Sequence, residues 1–407
     1  MARVPATRFR AALLVGAAAC TLTAAARAAD DSGIGSALAL DPPEWMWGDL
    51  EFRLGGSAAG ALYTAHEEAG PAYPGGFDET NVTGEAHANN RVQRTFDNGM
   101  VVGARSEFLL YHDELSGDIY DNDTVERLYA FAQTGFGRIE IGQQDGAGYQ
   151  LALTGPQAVP AVSLEGGGLS LFRNPITGEE FAPFFMHVTA VQSSSNYAKI
   201  NYISPRLFGA QIGMSFTPQI VRAPVPFAGN PIDDPNGQDD IFEIAASYQD
   251  YIGAVAVGGS AAYAHGSVRN RTPGFADLSD WALGWQMAYT LGEVKLSAGG
   301  AFRDSNAYLL EVTQALNHGG TRTVRATGTA EWGSWILGGE YTFADVKGPV
   351  NFGIAGYQAA LGYKINDNLQ VSGGWQWQNY RRSSGTFYNG NTTIDMNGGF
   401  LTFNYGL

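Results

Sequence analysis

The sequence predicts an all-β fold: a 16-stranded antiparallel β-barrel that crosses a membrane. Three observations carry that expectation. From Gly48 onward, apolar and polar residues alternate with period two, the signature of strands with one apolar face. The alternating runs last about 10 to 14 residues, longer than the ~5–6 usual in soluble sheets and long enough for a tilted crossing. Connections alternate short and long along the chain, as expected where tight turns face one side of a membrane and loops the other.

The N-terminus predicts export. Arg3, Arg8 and Arg10 precede an apolar stretch from Ala11 to Ala26, and Ala26-Arg27-Ala28 supplies the small residues that signal peptidase reads. Residues 1–28 are thus expected to be a signal peptide, 29–47 a short N-terminal segment and 48–407 the barrel. The one cysteine, Cys20, falls inside the signal, so the mature chain has no thiol to form a disulfide. Cleavage removes four arginines and no acid, taking the net charge from −16 to −20.

Sixteen strands are expected, at 48–64, 82–96, 100–112, 124–135, 137–145, 195–204, 208–217, 240–249, 252–264, 280–291, 293–303, 321–332, 334–345, 353–364, 368–380 and 393–406. The clearest alternation places Leu369, Val371, Gly373, Trp375 and Trp377 opposite Gln370, Ser372, Gly374, Gln376 and Gln378. Residues 281–291 repeat it, with Trp281, Leu283, Trp285, Met287 and Tyr289 opposite Ala282, Gly284 and Gln286. Aromatics gather at the ends of these apolar faces (Trp332, Trp335, Tyr341, Tyr363), where amphipathic rings prefer the headgroup zone. Tyr63, Tyr111, Tyr129 and Tyr197 are the aromatics that alternation turns to the lumen. An even strand count closes the sheet, and at this size the interior holds a water-filled channel. The connection at about 146–194 is far longer than its neighbours and carries Gly166-Gly167-Gly168 and four prolines; a stretch of that length is usually functional.

Composition excludes several classes. With 24 Lys+Arg against 40 Asp+Glu, the chain repels a nucleic-acid backbone. A hydrophobic content of 44% excludes disorder. Past the first ~30 residues no apolar run approaches the ~18 positions of a membrane helix. The six histidines mostly fall in loops and none accompanies a Gly-x-Ser-x-Gly elbow, so no catalytic residue is expected; a hydrolase is the remote alternative. The acidic loops around Asp118, Asp121, Asp123, Asp233, Asp234, Asp239 and Asp240 offer oxygen ligands for Ca²⁺, although Asp121-Asn122-Asp123 lacks the spacing of an EF-hand. No other cofactor is expected.

Three stretches resemble the Gram-negative general porin family. These are Phe136-Gly137-Arg138-Ile139-Glu140-Ile141-Gly142-Gln143-Gln144-Asp145, the preceding strand Arg127-Leu128-Tyr129-Ala130-Phe131-Ala132, and the C-terminal Leu401-Thr402-Phe403-Asn404-Tyr405-Gly406-Leu407. The resemblance implies a homotrimer of barrels in the outer membrane, among lipid and lipopolysaccharide, each pore narrowed by an inward-folded third loop. It also implies that Phe403, Tyr405 and Leu407 are read by the barrel-assembly machinery, although the family normally ends in Phe. For trimer contacts, the first strand offers an outward face of Leu54, Gly56, Ala58, Gly60 and Leu62.

A pore selects by width and by the field across its narrow zone. Alternation turns Arg53, Arg91, Arg105 and Arg127 inward, with Lys199 and Lys295 further round and Arg325 on the twelfth strand. Glu165, Glu179 and Glu180 on the long loop are expected to oppose them and create a transverse field. Each arginine could instead pair with a nearby acid such as Glu51, Glu107 or Glu126. The expected function is passive diffusion of ions and small hydrophilic solutes, with a sugar- or anion-specific channel as the alternative.

Overall fold

The computed structural model describes residues 43–406 apart from 72, 113–124, 166–170, 173–186, 220–237, 269–275, 307–319, 348–350, 383–384 and 387–388. The signal peptide, Cys20, Glu179, Glu180, Leu407 and all the acidic-loop residues named above except Asp239 and Asp240 lie outside the described residues.

The described chain is almost entirely strand. It begins with β1 (Glu44–Trp47), β2 (Leu50–Glu67), β3 (Phe77–Thr95), β4 (Val101–His112), β5 (Val125–Thr134) and β6 (Gly137–Gln143). The long connection then carries one helical turn, α1 (Ala147–Gln150), and a 3-10 turn at Pro160–Val162. It continues with β7 (Ala198–Ile203), β8 (Ala210–Gln219), β9 (Gln238–Ile252), β10 (Val255–Val268) and β11 (Leu278–Leu291). The rest is β12 (Val294–Ser305), β13 (Gly320–Trp332), β14 (Trp335–Lys347), β15 (Phe352–Lys364), β16 (Leu369–Arg382) and β17 (Thr393–Gly406). Each strand from β2 to β17 pairs antiparallel with its sequence neighbours, and β17 returns to β2, from Met396 opposite Glu67 to Gly406 opposite Ser57. The sixteen-stranded barrel is therefore closed. Below the end of β17, β1 takes its place against β2, pairing Glu44 with Arg53 and Trp47 with Leu50.

The exposure pattern is that of a protein in lipid. In β11, Leu283 and Trp285 face outward at 51% and 45% exposure while Asp280, nearer the loop end, is buried inside. In β16, Trp375 points out and Gln370, Ser372, Gln376 and Gln378 are buried within. A soluble sheet would reverse this; a barrel wall presents its apolar side to the bilayer.

Short turns close one end. The β9–β10, β11–β12 and β13–β14 hairpins have two-residue loops that open on Gly253, Gly292 and Gly333, at φ +64°, +62° and +55°. A Cβ at any of these three would meet nothing within 4 Å, so it is the left-handed backbone that requires glycine there.

Two expectations need correction. β3 starts at Phe77, not near 82, because the strand continues above the apolar band, where its outward residues are the polar Asp78 and Thr80 and hydropathy does not mark it. Tyr111 does not face the lumen. A register shift between the Ala86–Tyr111 and His87–Leu109 pairs turns it outward, against Gly84.

Candidate functional site: the inner loop and the arginine wall

The connection from β6 to β7 folds into the barrel and seats on the inner wall. Ala158, Val159, Ala161, Val162, Leu171 and Phe172 pack against inward residues of β14–β17 and β2, including Ile336, Ile354, Tyr380 and Phe400. Ala147 and Leu151 pack on Ile203 and Ala245, and Val191 joins Ile241, Leu278 and Ala282. Glycines on the wall make room for this. A Cβ at Gly284 would overlap the Leu153 carbonyl oxygen, and one at Gly299 would lie 2.5 Å from the Gly155 Cα. The chain's high glycine content thus has a structural use: it lets a second layer of backbone lie directly on the wall.

Buried charge pins the loop. Arg325, 2% exposed, ion-pairs with Glu165 of the loop and lies 3.1 Å from Glu340 of β14. It also donates to the Thr154 hydroxyl at 3.1 Å, while Glu340 accepts from the Leu164 backbone N–H at 3.2 Å. At the loop's entry Glu243 accepts from the Gly148 N–H at 3.0 Å, and at its exit Glu243 accepts from Ser194, to which Lys199 donates at 2.8 Å. Arg303 forms a bidentate pair with Asp280 at 2.8 and 2.7 Å and reaches the Val188 carbonyl at 3.5 Å.

The predicted residues therefore fall in three places. Arg325 and Lys199 sit beneath the loop instead of on open wall, and Glu165 is bound to Arg325 instead of opposing the other arginines across a passage. Alternation gives the face of a residue but not what covers it. Lys295 is half-exposed near the β11–β12 turn and pairs with Glu331 at 3.0 Å. Arg53, Arg91, Arg105 and Arg127 lie on neighbouring strands, β2 to β5. Register places Arg53 opposite Arg91 and Arg91 opposite Arg105, so three guanidiniums form one row across β2, β3 and β4 on partly exposed wall. Like charges side by side repel. Here Arg53 is paired with Glu51 and lies 3.2 Å from Glu44 of β1, and Arg91 covers the Phe131 ring at 4.9 Å. Arg127 lies above the row, 2.7 Å from Glu107 and 2.8 Å from Asp145.

Sequence reasoning does not single out Arg303, Asp280, Glu243 or Glu340. Their inward alternation is the available signal, but nothing local marks a buried pair such as Arg303–Asp280, whose partners lie 23 residues apart.

His187 in the loop is fully buried, with neither ring nitrogen hydrogen-bonded among the described residues, and burial pushes its imidazole down to about 3. A released loop would protonate it below ~6.5, so docking is fully favoured above that pH and weakens by about 1.4 kcal/mol per unit as pH falls towards 3. Acidification from pH 7 to 4 is expected to make the loop protease-sensitive and the current noisy. His187→Leu should flatten that response; an unchanged pH profile in the variant would refute the link.

Comparison with known proteins agrees with this architecture. No curated protein matches the chain. Among solved structures, the anion-selective porin from Comamonas acidovorans superposes with a TM-score of 0.53 at 12% identity, covering 88% of this chain and 100% of that one. The outer-membrane expressed OmpT of Vibrio cholerae superposes with a TM-score of 0.52 at 10% identity, covering 90% and 100%. The family model for Gram-negative porins matches residues 16–383. That match spans most of the length, and the chain belongs to the Gram-negative porin family: it is a channel protein of the outer membrane.

Proposed function

We propose that this porin is a general diffusion channel for ions and small hydrophilic solutes, with its passage between the loop and the inner wall of β2–β5. The observation that carries this is the row Arg53–Arg91–Arg105 on the stretch of wall where the described loop residues do not pack. Fixed charge on a low-dielectric wall compensates solutes for lost water and disfavours apolar ones. The neighbouring carboxylates, Glu44, Glu51, Glu107 and Asp145, keep the net field small, so selectivity is weak. No group on this wall is assigned a catalytic role.

The working unit is a homotrimer. On β2–β4 the outward face carries Gly56, Ala58, Ala88, Asn90, Ala104 and Ser106, with Asn90 donating to Ser106 at 3.4 Å. Lipid-facing wall elsewhere carries Leu283, Trp285 or Tyr357. One structural neighbour, OmpT of Vibrio cholerae at 13% identity, is described in a trimer form. Gly60 serves the chain itself, since the Phe403 ring of β17 lies over it. Export by a signal peptide, recognition of Phe403, Tyr405 and Leu407 by the assembly machinery, and contact with lipopolysaccharide belong to the same reading.

Refolded protein in a planar bilayer under a salt gradient should give large ohmic conductance in steps of three. Arg105→Ser should shift the reversal potential towards cations. A unit charge is worth about 1 kcal/mol at 4 Å in water, so averaged over a wider passage the permeability ratio should change about twofold. A folded barrel without conductance would overturn the proposal.

A further inference from the structure

Above the arginine row, on the loop side of the wall, three strands bring together side chains that the diffusion reading does not use. His87 on β3, Glu107 on β4 and Glu126 on β5 each bring one donor atom to a point where all three lie within 4.8 Å of one another. Two β-bulges build this convergence. One shifts the β3–β4 register next to His87. The other shifts β4–β5 between Glu107 and Phe108, leaving Glu126 as the extra residue, so that it joins Arg127 on the lumen side. Bulges are a recurrent way of re-aiming a side chain at a site.

The histidine is held at both ring nitrogens. Nδ1 lies 3.0 Å from Glu126 Oε2, and Nε2 lies 3.5 Å from Glu85 Oε2 on the same strand. An imidazole with a carboxylate behind it and further carboxylates in front is the arrangement that orients metal-ligating histidines.

We propose that His87, Glu107 and Glu126 bind a divalent transition-metal cation, with Glu85 positioning the imidazole. One nitrogen and two carboxylate oxygens suit Zn²⁺, leaving a fourth position open to the lumen. Imidazole disfavours Mg²⁺ and Ca²⁺, which take all-oxygen shells. Zinc bonds of about 2.0–2.2 Å need donors roughly 3.4 Å apart, within reach of glutamate side-chain rotation. Glu107 now accepts from Arg127, but Arg127 also grips Asp145 with two nitrogens, at 2.9 and 2.8 Å, so Glu107 can turn to a cation without stranding the guanidinium. Binding expels the proton that His87 holds between the Glu85 and Glu126 carboxylates, and the two glutamate ligands then carry the charge that one divalent ion cancels. The bound ion would remove negative charge from the loop side of the arginine row and lower the cation current. That effect on current rests on the channel reading; the binding does not.

The test is calorimetric titration of Zn²⁺ into the folded, detergent-solubilised barrel, with conductance measured in parallel. The wild type should show saturable binding that Mg²⁺ does not displace. His87→Gln and Glu126→Gln should each weaken it by more than about tenfold, and Glu85→Gln by about tenfold. Heat-modifiable gel migration verifies that each variant is folded. Unchanged zinc affinity in folded His87→Gln would place the ion elsewhere, for instance at the exposed His66–Asp78 pair, and overturn the site. Absence of saturable binding in the wild type would overturn it as well. Binding by a barrel that does not conduct would support the site while refuting the channel.

Discussion

Replacing Arg325 with methionine is expected to release the inner loop and raise single-channel conductance several-fold, with the barrel still folded. The guanidinium lies between Glu165 of the loop and Glu340 of the wall and also holds Thr154. Its removal leaves two buried carboxylates without their counter-ion, and breaking such a pair costs about 3–5 kcal/mol. The strand ladders do not involve this side chain, so the cost falls on docking. Lifting the loop away returns water to Glu165 and, by uncovering the inner wall where Ser163 and Leu164 now lie, to Glu340. Conductance, current noise and protease cleavage within the loop should all rise together. A variant with wild-type conductance and a lowered unfolding midpoint would show that the arginine serves the barrel instead of the loop.

Gly284→Val is expected to displace the loop by a different route. A Cβ there overlaps the Leu153 carbonyl oxygen, a backbone atom that no rotamer change can move. The loop must shift or the strand must bend, and overpacking of this kind typically costs about 1–3 kcal/mol. Gly339→Ala is the control. It faces outward on β14, and its Cβ would meet only the Gln358 carbonyl, at 3.6 Å. Conductance should change in the first variant and not in the second. Equal behaviour of the two would remove the inner-wall glycines from the account of how the loop is seated.

The strands are legible because a lipid-facing wall imposes one rule along its whole length. Trp375 and Gln376 announce their faces from sequence alone, since the bilayer rewards the first outside and the lumen the second. The arginine row is half legible: alternation places Arg53, Arg91 and Arg105 inward, but only the pairing register aligns them at one level. Bulges erase the rule locally. At Leu110 and Glu126 one extra residue reverses the face of the residues beyond it. Alternation therefore misplaces Tyr111, and it shows Glu126 as an acid but not as a neighbour of His87.

By itself the sequence determined the barrel, its strand count, its turns and, away from the bulges, which side chains face inward, because these depend on interactions between near neighbours and a uniform solvent. Only the tertiary structure decided which inward charges line a passage and which lie under the loop. Arg325 and Glu165 are 160 residues apart and meet because the loop crosses the lumen to the opposite wall. Where it seats depends on the combined fit of glycine gaps, apolar patches and buried ion pairs spread around most of the barrel, a match between distant surfaces that no local pattern encodes.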